Sequence, residues 1–275
     1  MTLASRTLAP TDPGRTARRL VLAHGFTQNA DCWGPFAERL AAEHEVVLVD
    51  GPGHGRSGHD SADLWEAAEL LTEVGDRAIY VGYSMGGRTA LHAALARPDL
   101  VDGLVLIGAT PGLGTDAERQ ARRDADGELA DRLLSIGLPA FLDRWLAQPL
   151  FAGLDEEAAA RPARERNRVD GLAASLRHCG TGNQESLWGR LDEVRAPVLA
   201  VVGDRDRKFT DIAERMVAAL AAAPPEAVTG GSGADGPDRS PARRPTLRSL
   251  PGTHAVHLER PVDTAAAVLD HIAGW

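Results

Sequence analysis

Residues 78–97, AIYVGYSMGGRTALHAALAR, decide the fold, because an apolar run passes through a glycine-rich turn into a helical pattern. The run Ala78–Val81 is short and apolar, which favours a buried strand, and Met85–Arg97 has the spacing of a helix. Between them stands GYSMG, residues 82–86, with a serine at its centre and small residues on both sides. A strand, a sharp turn with serine at its apex and a following helix make a nucleophile elbow. We therefore predict that Ser84 is the reactive residue.

Short apolar runs alternate with helical patterns through most of the chain. The predicted strands are Arg19–Ala23, Val46–Asp50, Ala78–Val81, Leu104–Ile107, Val198–Val202 and Leu247–Leu250. The predicted helices of this set are Trp33–Ala42, Leu64–Glu73, Met85–Arg97, Asp211–Ala222 and Val262–Ile272. Runs that are apolar on both faces suit parallel strands buried between two helical layers. The alternation therefore predicts an α/β fold with a doubly wound, mostly parallel sheet.

The alternation stops between residues 111 and 189, where the pattern is helical without a convincing strand. The helices expected here are Ala117–Ser135, Leu138–Ala147 and Asp155–Asn167. Open α/β sheets bind ligands at the carboxyl ends of their strands. We therefore interpret residues 111–189 as a helical lid inserted into a core made of residues 1–110 and 190–275. The segment Ala223–Pro245 is rich in Pro, Gly, Ser and charge, which predicts a flexible loop.

Composition narrows the possible partners. The 275 residues suffice for one sizeable core, and 30 basic against 39 acidic side chains give a formal net charge of -9. An acidic chain repels a phosphate backbone, and no apolar run is long enough for a membrane span. Cys32 and Cys179 have neither metal-ligand spacing nor a disulfide framework. We expect reduced thiols in a cytoplasmic protein that needs no metal and no cofactor and binds neither nucleic acid nor membrane.

A serine needs a histidine to take its proton, and that histidine needs a carboxylate to orient it. In a fold of this kind the acid and then the histidine follow the last strands. Asp206 in GDRD, residues 203–206, and His254 in PGTH, residues 251–254, occupy these places. Asp204 is the competing acid, although a turn-forming role beside Gly203 suits it better. His257 is the competing base, and we expect it at the surface.

The segment His24-Gly25-Phe26 ends the first predicted strand. This is the position of the loop that donates one backbone N–H to an oxyanion hole, while the residue after the serine donates the other. The predicted donors are therefore the amides of Phe26 and Met85. His24 and His54 are expected to be structural hydrogen-bonding residues.

The chain resembles the 2-succinyl-6-hydroxy-2,4-cyclohexadiene-1-carboxylate synthases of menaquinone biosynthesis, which belong to the α/β-hydrolase superfamily. The resemblance covers nearly the whole chain and rests on HGFTQNADCW, GYSMGGR, PGL, ERQARRD, QPLF, GDRDRKF and PGTHAVHLERP. It implies an α/β-hydrolase fold and a lyase that eliminates pyruvate without an acyl-enzyme. The serine, deprotonated by the histidine, would take a ring proton, and an oxyanion hole would assist.

The resemblance also implies residues that bind a small polycarboxylate substrate. Arginines bind carboxylates in a bidentate manner, and Arg88 lies one helical turn beyond Ser84. Arg122 and Arg166 match the arginines of the family's lid, and Tyr83 and Trp145 match its aromatic residues. If the register slips, Arg119 and Arg123 become the alternatives.

Two other functions remain open at this point. The same triad could serve an ester, lactone or other acyl hydrolase with Ser84 as nucleophile, because one fold hosts many reactions. A non-catalytic ligand-binding protein of the same fold is the third possibility, and an intact triad with both oxyanion loops disfavours it. Converging arginines would favour a polyanion over an apolar ester. The expected assembly is a monomer or a small homo-oligomer.

Overall fold

The computed structural model describes residues 2–12, 17–222 and 244–275, and its centre is a seven-stranded sheet. The strands are β1 Ser5–Leu8, β2 Arg19–Ala23, β3 Glu45–Val49, β4 Ala78–Tyr83, β5 Val101–Ile107, β6 Val198–Gly203 and β7 Thr246–Leu250. Their order across the sheet is β1-β3-β2-β4-β5-β6-β7. Strand β1 is antiparallel to β3, and every other pair is parallel. The carboxyl ends of β2 and β4–β7 therefore meet at one edge.

The α-helices cover both faces of this sheet or follow β5 as an insertion. They are α1 Gly34–Ala41, α2 Leu64–Gly75, α3 Met85–Ala96, α4 Asp116–Ile136, α5 Leu138–Leu146, α6 Arg161–Arg164, α7 Val169–Cys179, α8 Arg207–Ala221, α9 Val256–Glu259 and α10 Pro261–Ile272. Along β2, Val21 packs into an apolar cluster with α2, α3 and α8. Leu20 and Leu22 pack into a second cluster with α1 and α10. Alternate residues of one strand thus bury against opposite helical layers.

The predicted α/β fold with a mostly parallel sheet is confirmed, with the six predicted strands at or within three residues of their expected ends. The antiparallel strand β1 was not predicted, because its residues SRTL alternate weakly and are mostly exposed. Helix α8 begins at Arg207, four residues before the predicted start at Asp211, because the side chain of Asp206 caps it. Most of the predicted loop Ala223–Pro245 lies outside the described residues.

The helices between β5 and β6 have a small core of their own. Leu133 of α4, Leu142 of α5 and Leu172 of α7 are buried in one cluster. The predicted helix Asp155–Asn167 is wrong, since only the four residues of α6 are helical within it. Ala160 has a left-handed φ of 48° directly before α6, and Pro162 stands in its first turn. A left-handed residue cannot continue a helix, so residues 155–160 form turns. The division into core and lid stays a prediction.

The two cysteines and the apolar character of the helices also bear on the expectations from composition. Cys32 and Cys179 are both buried and form no disulfide. Within residues 2–12, 17–222 and 244–275, no helix combines the length and apolar character that a bilayer span requires.

The turn after β4 generates a stability prediction. A Cβ atom at Gly86 would overlap the carbonyl oxygen of Ala23, which the rigid sheet cannot move. Gly86→Ala should lower the free energy of unfolding by about 1–3 kcal/mol, measured by urea denaturation. Gly127 in α4 has open space around its Cα, so Gly127→Ala should instead gain about 0.5–1 kcal/mol. Equal stability of the Gly86→Ala variant and the wild type would contradict the packing argument.

Candidate active site

The turn between β4 and α3 holds Ser84 in a strained conformation. Its φ of 50° and ψ of -107° lie outside the regions that side-chain-bearing residues prefer. The strain is tolerated because close packing fixes the turn on both sides: a Cβ at Gly82 would overlap Gly87, and one at Gly86 would overlap β2. The backbone therefore projects the serine hydroxyl beyond the carboxyl end of the sheet.

Three loops at this edge bring Ser84, His254 and Asp206 into hydrogen-bonding contact. His254 Nε2 lies 3.0 Å from Ser84 Oγ, and His254 Nδ1 lies 2.7 Å from Asp206 Oδ2. A carboxylate partner requires the proton on Nδ1, so Nε2 is free to accept the serine proton. The imidazole packs between the rings of Tyr83 and Phe209, at centroid distances of 5.3 and 4.3 Å. The ring therefore has little freedom to rotate away from the serine.

Two carboxylates hold the loop that carries His254. Asp204 Oδ1 accepts a hydrogen bond from the backbone N–H of Gly252 at 3.1 Å. Asp204 therefore holds the histidine loop in place, and Asp206 is the carboxylate that contacts the imidazole. The buried carboxylate of Glu259 accepts from the backbone N–H of Thr253 at 3.0 Å and from the Thr253 hydroxyl. On its other side Glu259 contacts Gly153, where a Cβ would overlap the carboxylate. The histidine loop is thus fixed at two successive amides.

His257 is buried, which corrects the expectation that it lies at the surface. Its exposed fraction is zero, and its ring packs against Tyr83, Trp33 and Phe36. His257 lies in helix α9, which begins at Val256, and its side chain is buried there. Burial lowers the pKa of His257 well below its usual value, helped by the nearby His254 and Arg164. His257 is therefore a core residue, and His254 is the histidine that contacts the serine.

The two predicted oxyanion donors flank the serine. Met85 is the first residue of α3, where backbone N–H groups have no partner within the helix. Phe26 lies in the loop after β2, and both residues line the same cavity as Ser84. A helix N-terminus also favours negative charge close to it. The arrangement suits an oxygen that gains charge beside Ser84, and the two donor roles stay predictions.

A cavity of about 400 Å³ opens over Ser84, beneath α4, α5 and α7. This volume is in the range of sites for small molecules. Its lining includes Phe26, Tyr83, Ser84, Met85, Arg88, Gly108, Thr110, Arg122, Asp126, Leu129, Trp145, Gln148, Phe151, Ser175, Cys179, Gly180, Thr181, Lys208, Phe209 and His254. One wall is aromatic, where Trp145 stacks on Phe141 and meets the edge of Phe26.

Two of the three predicted arginines line this cavity. Arg88 is only 6% exposed, and burial, reinforced by the charge of Arg122, lowers its pKa to about 10. It therefore remains a cation at neutral pH. Arg122 Nε donates to Asp126 Oδ1 at 2.8 Å, one turn further along α4. The two alternative arginines, Arg119 and Arg123, do not line the cavity and donate instead to the backbone carbonyls of Leu113 and Gly182.

Arg166 does not line the cavity, which corrects the prediction from the family resemblance. Its side chain is 56% exposed and pairs with Asp31 at 2.7 Å. The short helix α6 directs Arg164 inward instead, where Arg164 donates to Thr27 Oγ1 and to Ala159 O. Arg164 is almost fully buried and lies close enough to lower the pKa of Tyr83, against the larger effect of burial, which raises it. Neither Arg164 nor Arg166 lines the cavity over Ser84.

Sequence reasoning missed several cavity residues. Asp126 stands four residues after Arg122, a helical spacing that could have indicated the pair. Lys208 and Phe209 come two and three residues after Asp206, in the first turn of α8, and a correct helix start would have placed them at the cavity. Cys179 also lines the cavity, but burial raises the pKa of its thiol to about 12. Cys179 is therefore no rival nucleophile.

The chain matches the family model described as the Alpha/beta hydrolase family over residues 20–267. A candidate 2-succinyl-6-hydroxy-2,4-cyclohexadiene-1-carboxylate synthase from Bacillus subtilis (strain 168) is 36% identical over 224 residues, which cover 74% of this chain and 80% of the relative. The synthase of that name from Yersinia pestis (strain Pestoides F) is 34% identical over 227 residues, covering 78% and 83%.

A similar solved structure is that of MenH from S. aureus. It superposes with a TM-score of 0.82 at 25% sequence identity, and the match covers 99% of this chain and 98% of the other. The likeness therefore includes the inserted helices as well as the sheet.

Beside the cavity, His24 and His54 form a buried pair with ring centroids 4.9 Å apart. His24 Nε2 accepts from the backbone N–H of Gly51, and His54 Nδ1 lies 2.9 Å from Pro52 O. Burial, reinforced by the neighbouring His24, lowers the pKa of His54 to about 3. Both histidines are thus neutral structural residues.

His54 should make the protein less stable in mild acid. The pKa of His54 is lower in the folded state than in the unfolded state. Below about pH 6.5, His54 is therefore protonated in the unfolded chain but still neutral in the folded protein. Between pH 7.5 and 5 this should cost ~2 kcal/mol of unfolding free energy. His54→Gln should reduce the loss measured by urea denaturation by that amount, whereas His59→Gln, at an exposed histidine, should not. An unchanged pH dependence in His54→Gln would refute the assignment.

Proposed function

The chain belongs to the alpha/beta hydrolase family and, within it, to the 2-succinyl-6-hydroxy-2,4-cyclohexadiene-1-carboxylate synthases, and on that premise we propose its reaction. It is a carbon–oxygen lyase of menaquinone biosynthesis. It eliminates pyruvate from 2-succinyl-5-enolpyruvyl-6-hydroxy-3-cyclohexene-1-carboxylate and releases the cyclohexadiene product. The observation that carries the proposal is one cavity that two arginines line together with Ser84 and His254.

The reaction is a proton abstraction followed by loss of a leaving group. The C–H bond at ring carbon 2, next to the succinyl ketone, breaks first. The double bond then moves from carbons 3 and 4 to give the 2,4-diene, while the bond between ring carbon 5 and the enolpyruvyl oxygen breaks. The released enolpyruvate takes up a proton and becomes pyruvate. Charge builds on the ketone oxygen, which is where an oxyanion hole acts.

In this proposal His254 takes the proton of Ser84, and Ser84 Oγ takes the ring proton. The hydrogen bond of 3.0 Å between Nε2 and Oγ supports the first transfer. Asp206, at 2.7 Å from Nδ1, stabilises the imidazolium that results. The amides of Phe26 and Met85 would donate to the ketone oxygen. No covalent bond to Ser84 forms on this path.

The charges around the cavity support an anionic substrate. Arg88, Arg122 and Lys208 contribute three cations, against the single carboxylate of Asp126 outside the triad. Tyr83 and Trp145 supply apolar surface that suits the ring. A neutral ester would supply no anion to Nη1 of the buried Arg88 guanidinium, which has no hydrogen-bond partner in the described part of the chain, and this disfavours the acyl-hydrolase alternative. Residues of one chain line the cavity, so the proposed reaction needs no second subunit. We propose a monomer or a small homo-oligomer that works in the cytoplasm.

The reaction can be tested by following pyruvate release and diene absorbance with the succinyl-cyclohexene substrate. Wild type should produce both, and Ser84→Ala and His254→Ala should each lower kcat/KM by several orders of magnitude. The double variant should lose little more, because the two residues act as one proton-transfer unit. Mass spectrometry during turnover should detect no adduct on Ser84. Additive losses would contradict a shared Ser84–His254 proton-transfer unit, and an adduct on the productive path would support the hydrolase instead.

The arginines give a second test with a matched control. Arg88→Ala and Arg122→Ala should each lower kcat/KM for the anionic substrate by roughly ten- to a hundredfold, the cost of a charge-assisted hydrogen bond of about 1.5–3 kcal/mol. Arg166→Ala should stay near wild type, because its side chain is paired with Asp31 at the surface. Any hydrolysis of p-nitrophenyl acetate should be insensitive to all three changes. Wild-type kinetics in Arg88→Ala and Arg122→Ala would contradict a polyanion site.

A further inference from the structure

Three buried polar atoms of the cavity-lining residues have no hydrogen-bond partner in the described part of the chain. They are Arg88 Nη1, Trp145 Nε1 and Asp126 Oδ2. The first two are donors, and the third is an acceptor. Leaving such atoms unpaired inside a protein is costly, so each indicates a group that a ligand is expected to supply. A ligand complementary to the cavity would therefore carry two hydrogen-bond acceptors and one hydrogen-bond donor.

The acceptor belongs to a carboxylate that is held firmly. Asp126 is 3% exposed, and its Oδ1 already receives the Nε–H of Arg122 at 2.8 Å. Its Oδ2 lies against Gly180, where a Cβ would stand only 2.5 Å away, so this glycine makes the room for the carboxylate. The charge of Asp126 also reaches Arg88. A fixed carboxylate oxygen repels the ligand oxygens that can only accept hydrogen bonds and favours a ligand group that donates one.

The proposed substrate has one such donor. At neutral pH its three carboxyl groups are ionised and act only as acceptors, as do its ketone and its enol-ether oxygen. The ring hydroxyl at carbon 6 is its single O–H group. It remains in the product, since neither bond that breaks involves it.

We infer that Asp126 Oδ2 accepts the hydrogen bond of the ring hydroxyl and selects 6-hydroxylated rings, an inference that rests on the proposed function. Asp126 has two tasks in this arrangement. Its Oδ1 orients Arg122 toward the substrate carboxylates, and its Oδ2 accepts the hydrogen bond of the hydroxyl. The hydroxyl bound to Asp126 and a carboxylate bound to Arg88 would together fix how carbon 2 faces Ser84.

The test is a cycle of two enzymes and two substrates. Kinetics of pyruvate release would be measured for wild type and Asp126→Ala, with the natural substrate and with its 6-deoxy analogue. In wild type, removing the hydroxyl should lower kcat/KM by roughly ten- to a hundredfold, the range for hydrogen bonds to a charged group. In Asp126→Ala the two substrates should differ by less than about threefold. Asp124→Ala, two residues earlier at an exposed position of α4, should behave as wild type.

Each outcome separates the possible roles of Asp126. If it only orients Arg122, removing the hydroxyl will cost the same factor in Asp126→Ala as in wild type, which overturns the inference. Asp126→Asn keeps the side-chain shape and should show an intermediate hydroxyl effect, so it replaces Asp126→Ala if that variant does not fold. Equal hydroxyl effects in Asp126→Asn and wild type would overturn the inference too. A wild-type enzyme that releases no pyruvate from the natural substrate overturns the proposed function itself, and this inference with it.

Discussion

The hydrogen bond between His254 Nε2 and Ser84 Oγ joins two loops that lie 170 residues apart in the sequence. Such a contact needs two strands whose carboxyl ends come to the same edge, and a parallel sheet provides that. Strand β4 ends at the serine turn, β6 ends before Asp206, and β7 ends before the histidine loop. A register slip in any of these strands would separate the groups. The position of every other group around the cavity is set relative to this bond.

The sequence predicted the sheet well, and the structure brings the three predicted triad residues into contact, because both depend on order along the chain. Apolar runs indicate strands, and the chemistry requires acid and histidine after the last of them, as Asp206 and His254 are. The predictions from the sequence failed where tertiary packing decides which way a side chain points. Arg164 and Arg166 stand two residues apart in a four-residue helix and its flank, and only packing against Thr27 turns Arg164 inward. His257 was misjudged because nothing in PGTHAVHLERP indicates that Tyr83 and Trp33 enclose it.

The distribution of charge is uneven in a way that composition hides. The chain as a whole carries a formal charge of -9, yet the cavity over Ser84 contains Arg88, Arg122 and Lys208. Long-range repulsion is screened beyond about 8–10 Å at ordinary ionic strength, whereas buried charges are screened much less. Recognition of an anion therefore depends on the few cations inside. The burial of Arg88 opposes its charge, and that cost is offset when an anion arrives.

The contact between Glu259 and Gly153 connects two parts of the chain that seem independent in the sequence. Glu259 fixes the loop of His254 through Thr253, and its carboxylate leaves no space for a side chain at position 153, which follows α5. The inserted helices are therefore not an interchangeable cover. Grafting them from a relative with a bulkier residue at position 153 would push on Glu259 and disturb the proton-accepting imidazole. A change in the inserted helices that keeps glycine at position 153 leaves the support of the histidine loop by Glu259 intact.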